Sequence, residues 1–169
     1  IDGAITLLSI ETADDARLAA FGGASDVLMS AARAATLKLA NQIDAATPGK
    51  PVRLAAERWL DLPAARALAD PALDLANPLK GPYRSVPVGA EESAAAALEL
   101  ARIAGLLPAF FVVDGDTGAA EVSRAAIAAH EDATRLNLVA RARLPVAVAE
   151  KAEIAAFRSP EQAGEHVAL

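Results

Sequence analysis

Residues 91–113 constrain the fold of this chain more than any other segment. Glu91 to Ala104 has the pattern of a helix, with Glu91 and Glu92 at the end where the helix dipole is positive. Gly105 stands where a C-terminal cap belongs, since glycine takes the left-handed conformation that ends helices. Pro108 follows, and Ala109-Phe110-Phe111-Val112-Val113 is an unbroken apolar run that reads as a buried strand. Asp114-Gly115-Asp116-Thr117-Gly118 then turns the chain. A helix and a buried strand this close together need a common core. With 169 residues, 54% of them hydrophobic and 22% charged, the chain can form one well-buried globular domain with an appendage. Alanine makes up roughly a quarter of the sequence and aromatic residues only 4%, so the core is expected to consist of Ala, Leu, Val and Ile beneath closely packed helices.

Other elements are weaker. Ala4 to Leu8 reads as a strand opened by Gly3. Thr12 is a candidate cap for a short helix from Asp14 to Phe21, stopped by Gly22-Gly23. Asp26 to Ser30 suggests a second strand, and Ala31 to Ile43 is ambiguous between helix and strand. Thr47 to Pro51 is a turn, Val52 to Ala55 a strand, and Leu62 to Ala69 a helix with Pro63 in its first turn. Asp70 to Pro87, with Pro71, Pro78, Pro82 and Pro87, reads as a long ordered loop. A helix from Ser123 to Ala129 and an extended stretch from Leu136 to Val139 follow. Strands and helices mix without strict alternation, which indicates an α+β fold with a mixed-sheet α/β domain.

The net charge of −6 and dispersed basic residues argue against a nucleic-acid groove. No apolar stretch approaches the ~20 residues of a membrane span. Zero cysteines exclude disulfides and thiolate metal sites within these residues and fit a cytoplasmic protein. The expected partners therefore include neither nucleic acid nor membrane.

Few residues combine into a chemical constellation. His130 and His166 lack ligand spacing and read as surface or capping histidines. The Asp114–Gly118 loop lacks the later acidic ligand of a calcium loop, and Thr47-Pro48-Gly49-Lys50 lacks the first glycine of a phosphate loop. Ser30, Ser93 and Ser123 show no triad pattern. Glu91 and Glu92 suit dipole stabilisation better than acid–base work. Tyr83 and Arg84, in the proline-rich loop, are candidates to touch a phosphate or a partner. The residues alone assign no catalytic, cofactor-binding or metal-ligating position.

Ser93 to Ala109 resembles a stretch of 3,4-dihydroxy-2-butanone 4-phosphate synthase, whose helix reads approximately H-T-E-A-(S/T)-x-D-L-x-x-L-A-G-x-x-P-A. Glu99-Leu100, Ile103-Ala104-Gly105 and Pro108-Ala109 keep the scaffold half of that pattern. The family's metal-binding His falls on Ser93 and its Glu on Ala95. The family's acidic stretch, like D-E-D-R-E-N-E-G-D, is replaced by Ser9 to Asp15 and Gly22 to Asp26, with Glu11 and Asp26 as remnants. The expected H-G-x-G stretch is absent. This departure implies that synthase activity has been lost, because Ser93 and Ala95 cannot supply an imidazole and a carboxylate.

The C-terminal part resembles GTP cyclohydrolase II, whose opening has the form A-x-L-P-T-x-x-G-x-F, then a hydrophobic strand, then E-H-V-A-L-V-x-G. Here Val139 to Pro145, Ile154 to Arg158 and Glu165-His166-Val167-Ala168-Leu169 match in part, with Val146 and Glu150 or its neighbours at the usual Thr and Gly. The order of the two likenesses is that of fused riboflavin-biosynthesis proteins. They imply a degenerate synthase-like domain at 1–138 and an N-terminal cyclohydrolase fragment at 139–169, ending in a β-hairpin. Phe157-Arg158-Ser159 and Gly164 to Leu169 read as its two short strands, and Ile1-Asp2-Gly3 opens without an initiator Met, so a longer protein is expected. The cyclohydrolase's zinc and its cysteine ligands would lie beyond Leu169, GTP would bind only there, and the synthase family's dimers imply a homodimer. Two alternatives remain. One is an active or ligand-binding phosphosugar lyase-like domain that uses ribulose 5-phosphate and magnesium through Glu11, Asp14, Asp15, Asp26 or Glu92. The other is a stand-alone interaction module.

Overall fold

The computed structural model describes residues 3–22, 25–39, 42–78, 80–115, 117–118, 120–130, 136–145, 152–159 and 164–169. Expectations for Ile1, Asp2, Gly23, Asp116, Val146 and Glu150 lie outside them. The chain divides into two compact units, Ile1–Ile127 and Ala128–Leu169.

The first unit is built on five strands: β1 (Ile5–Ser9), β2 (Asp26–Met29), β3 (Val52–Leu54), β4 (Ser85–Val86) and β5 (Ala109–Asp114). They lie in the order β1-β5-β2-β3-β4. The fold class is α+β, as expected, but every pairing in this sheet is antiparallel and not a mixture. Sequence gives no strand direction here, since β5 pairs with strands that lie about eighty to a hundred residues earlier.

Alternation along the strands sends side chains to two faces, and each face has its own core. Leu8, Val27, Met29, Val52, Leu54 and Phe111 pack on one side with α1 (Asp15–Ala20), α2 (Ala31–Thr36) and α3 (Leu62–Ala69). Leu28, Phe110 and Val112 face the other side, against Ala94, Ala97 and Ala101 of α4 (Glu91–Ile103). Those three alanines stand at i, i+3 and i+7, one stripe of a helix, and their small side chains let the helix axis approach the sheet closely. A small part of the alanine excess serves this contact. Burial of β5 on both faces matches its uninterrupted apolar run.

The caps follow local chemistry, with one correction. Asp14, not Thr12, caps α1: its carboxylate accepts from the Arg17 N–H at 2.7 Å. Thr12 instead offers its carbonyl to the Arg17 guanidinium at 3.1 Å. Asp61 caps α3 ahead of Pro63, and its carboxylate accepts from the Ala64 N–H. After α4, Gly105 has φ +68; its N–H reaches the Arg102 carbonyl at 3.2 Å and the Leu106 N–H reaches that of Ala101 at 2.9 Å. That is a Schellman pair, with glycine at its left-handed position. The ambiguous stretch after β2 becomes α2 followed by a 3-10 turn at Ile43–Ala45. The proline-rich segment holds a second 3-10 turn at Pro71–Leu73, the cis bond Gly81-Pro82, and β4.

Helix α5 (Arg124–His130) spans the division between the units, and its Ile127 is buried. The second unit carries β6 (Asn137–Arg143), β7 (Glu153–Arg158) and β8 (Glu165–Ala168) in an antiparallel sheet of that order, with a bulge at Val139. The expected hairpin is present as β7 and β8, with β6 as a third strand. None of its described strand residues is buried. Among the described residues no helix is long and apolar enough to cross a membrane.

Candidate functional site

The two positions to which the synthase likeness gives metal ligands sit on the first two turns of α4. Ser93 is half-buried, and its hydroxyl donates to the Gly3 carbonyl at 3.0 Å. Ala95 is exposed. Two residues along a helix are turned roughly 200° apart, so these positions face different surroundings. Ser93 lines a groove of about 390 Å³ between α4 and the edge strand β1, bordered also by Leu100, Val122, Arg124 and Ile127. Most of its wall is apolar carbon, and Glu121 and Arg124 supply charge at its border.

The acidic residues considered as relocated ligands are dispersed, and all but Asp15 are engaged elsewhere. Glu11 accepts the Leu107 N–H at 2.7 Å and so holds the entry to β5. Asp14 is the α1 cap, and Asp15 lies exposed in that helix's first turn. Glu92 pairs with Arg124, and Glu91 pairs with Lys50 at 2.7 Å. Asp26 sits opposite Val112, five residues along from the Leu107 that Glu11 holds, a separation on the order of 15 Å. Glu11 and Asp26 therefore do not share a site. Among the described residues no group of three or more His, Asp or Glu side chains is placed to hold a metal ion.

Asp26 belongs to a different arrangement. Arg53 of β3 donates to Asp26 at 2.7 Å and reaches past β2 to Asp114 of β5, at 2.7 and 3.1 Å. Asp26 also accepts the Ala56 N–H at 2.7 Å. The hydrogen bond that Arg53 donates to Asp114 raises the Arg53 pKa; partial burial works against this, and Asp26 adds to the rise. Arg53 thus links three strands, with Asp114, the first carboxylate of the apparent calcium loop, as one of its two acidic partners.

The remaining candidates have structural duties. Ser30 caps α2 by accepting the Arg33 N–H at 3.2 Å, and Ser123 accepts the Ala126 N–H at 3.1 Å before α5. His130 closes the last turn of α5, where a basic side chain suits the dipole, and His166 lies opposite Phe157. Tyr83 packs its ring on Trp59, with centroids 5.5 Å apart, while Arg84 is exposed and offers its carbonyl to the Ala55 N–H.

One cluster has no local sequence signal. Arg33 is buried under the end of α3 and donates to the Leu68 carbonyl at 2.7 Å and the Ala67 carbonyl at 3.3 Å. Its guanidinium also grips both oxygens of Asp74, at 2.7 and 2.6 Å, and Lys80 binds the same carboxylate. Arg33 first, then Lys80, hold the Asp74 carboxyl well below the usual carboxylate range. The partners lie 34 to 41 residues from Arg33, so only the tertiary fold brings them together.

Comparison of the chain with protein-family models, curated proteins and solved structures gave no match.

Proposed function

We propose that the first unit is a non-catalytic, synthase-like structural domain in front of a GTP cyclohydrolase II-type enzyme of riboflavin biosynthesis, and that the strands from β6 onward open that enzyme's domain. The observation that carries this reading is the division of labour on α4. Its synthase-like scaffold residues lead through Gly105 into the buried strand β5, and Ala94, Ala97 and Ala101 pack on the sheet. At the positions corresponding to the ligands stand a serine bonded to backbone and an exposed alanine. In this reading the unit positions or dimerises the enzyme in the cytoplasm. GTP and zinc belong to the following domain, which would release formate and pyrophosphate.

The test uses the protein expressed from its complete reading frame. Formate release from GTP in the presence of zinc is expected, and none from ribulose 5-phosphate with magnesium. Formate from the sugar phosphate would replace this reading with the lyase alternative. A reading frame that encodes no cysteine cluster after Leu169 would remove the cyclohydrolase altogether and leave the interaction module.

A further inference from the structure

Beside the Arg33–Asp74 pair lies a cleft of about 310 Å³ walled by Lys38, Asp74, Asn77, Lys80 and Tyr83. Its size is at the lower end for small-molecule sites. Among the described residues Asp74 is the one acid on its wall, and it faces three cations: Arg33 and Lys80 in contact with it, and Lys38 across the cleft. The local excess is two positive charges, in a chain whose net charge is −6. Such an excess opposes a metal cation and suits a dianion.

The donors remain available. An ammonium has three N–H groups, so Lys80 keeps two after binding Asp74. Asn77 uses one amide hydrogen on the Leu73 carbonyl and keeps the other. Burial raises the Tyr83 pKa, so its phenol stays a neutral donor. Lys38 has φ +59 at the left-handed position after α2, where glycine is usual. A lysine in that disfavoured conformation, on the wall of a cationic cleft, calls for a use of its side chain.

The wall around Tyr83 is also fixed. Gln42 donates to the Tyr83 carbonyl at 2.9 Å and accepts the Ser85 N–H at 2.6 Å. Gly81 has φ +98, and a side chain there would meet the Tyr83 nitrogen at 3.1 Å.

We infer that this cleft binds a small oxyanion of the phosphate class, held between the Lys38 and Lys80 ammonium groups with the Tyr83 hydroxyl as a further donor. The inference stands independently of the structural role proposed above. It is tested by calorimetric titration with inorganic phosphate and, separately, pyrophosphate at low ionic strength. One saturable site is expected, with a Kd on the order of 1 mM. Lys38→Gly relieves the backbone conformation and should preserve the fold, yet weaken binding about tenfold or more, as loss of a charge-assisted bond does. Tyr83→Phe should weaken it several-fold, and Lys50→Met, outside the cleft, should leave it unchanged. Absence of saturable heat up to roughly 20 mM, far above that Kd, would overturn the inference. So would equal weakening by Lys38→Gly and Lys50→Met, which marks unspecific attraction, or undiminished binding by Lys38→Gly.

Discussion

Replacing Arg33 with methionine removes a side chain that caps a helix to which it does not belong. The last carbonyls of α3 have no partner within the helix. Arg33 supplies one to Leu68 at 2.7 Å and one to Ala67 at 3.3 Å, from a position only 7% exposed. Methionine fills similar space without donors, so both carbonyls are stranded where water has little access. At about 1–3 kcal/mol for each buried group left unpaired, the expected loss is about 3 kcal/mol. Asp74 keeps Lys80 and an open side to solvent, so the carbonyls dominate the cost. Arg33→Lys keeps the charge but loses the planar fork, and one ammonium cannot reproduce this geometry; about half the loss is expected. Trp59 is the sole tryptophan and stacks near Tyr83 in the first unit, so its fluorescence follows that unit's unfolding in urea. With slopes of about 1–3 kcal/mol per molar, the midpoint for Arg33→Met should fall by about 1–3 M. A loss below about 1 kcal/mol, or a lysine variant as stable as the parent, would refute the capping argument.

Three further outcomes are expected. Gly105→Ala should cost about 1 kcal/mol by the same urea measurement, because φ is +68 while the space around the site is open, so the cost is conformational and not steric. Arg53→Met should cost about 2–3 kcal/mol, since it leaves Asp26 partly buried without its cation, whereas Asp114→Asn at the exposed end should stay within about 1 kcal/mol. The folded-state pKa of Asp74 is depressed, so its contribution to stability is present above the unfolded value near 4 and is lost as pH falls from there toward the folded value. Thermal melts from pH 6 to pH 3 should therefore show a steeper acid-side fall in the parent than in Asp74→Asn; parallel curves would contradict the assignment.

What the sequence disclosed, and what it hid, follows the range of the interactions. Helix α4 and strand β5 are legible because their signals are local: acids at the helix start, glycine at the cap, and an apolar run with no polar gap. Thr12 and Asp14 both carry capping oxygens, and only the position of the first helical turn chooses Asp14. Nothing near Arg33 announced that it would be buried, because the carbonyls and carboxylate that justify its burial come from 34 to 41 residues away. Residue type alone is what makes the acids candidate ligands. In the fold, Glu11 holds a strand entry, Asp14 caps a helix and Asp26 belongs to a strand clamp.

The alanine stripe of α4 has a consequence for how this domain tolerates change. Ala94, Ala97 and Ala101 are 1–3% exposed, and a larger side chain at any of them would push the helix off the sheet. Ala95 lies beside that stripe, exposed, and carries none of its packing, whereas Ser93 is half-buried and bonded to the Gly3 carbonyl. Substitution at Ala95 is therefore nearly silent to stability, while at Ser93 it removes a hydrogen bond to the backbone, so neighbouring positions on one helix differ in what the fold registers. Tolerance to change thus varies around the cylinder, from the alanine stripe that meets the sheet to the exposed side at position 95.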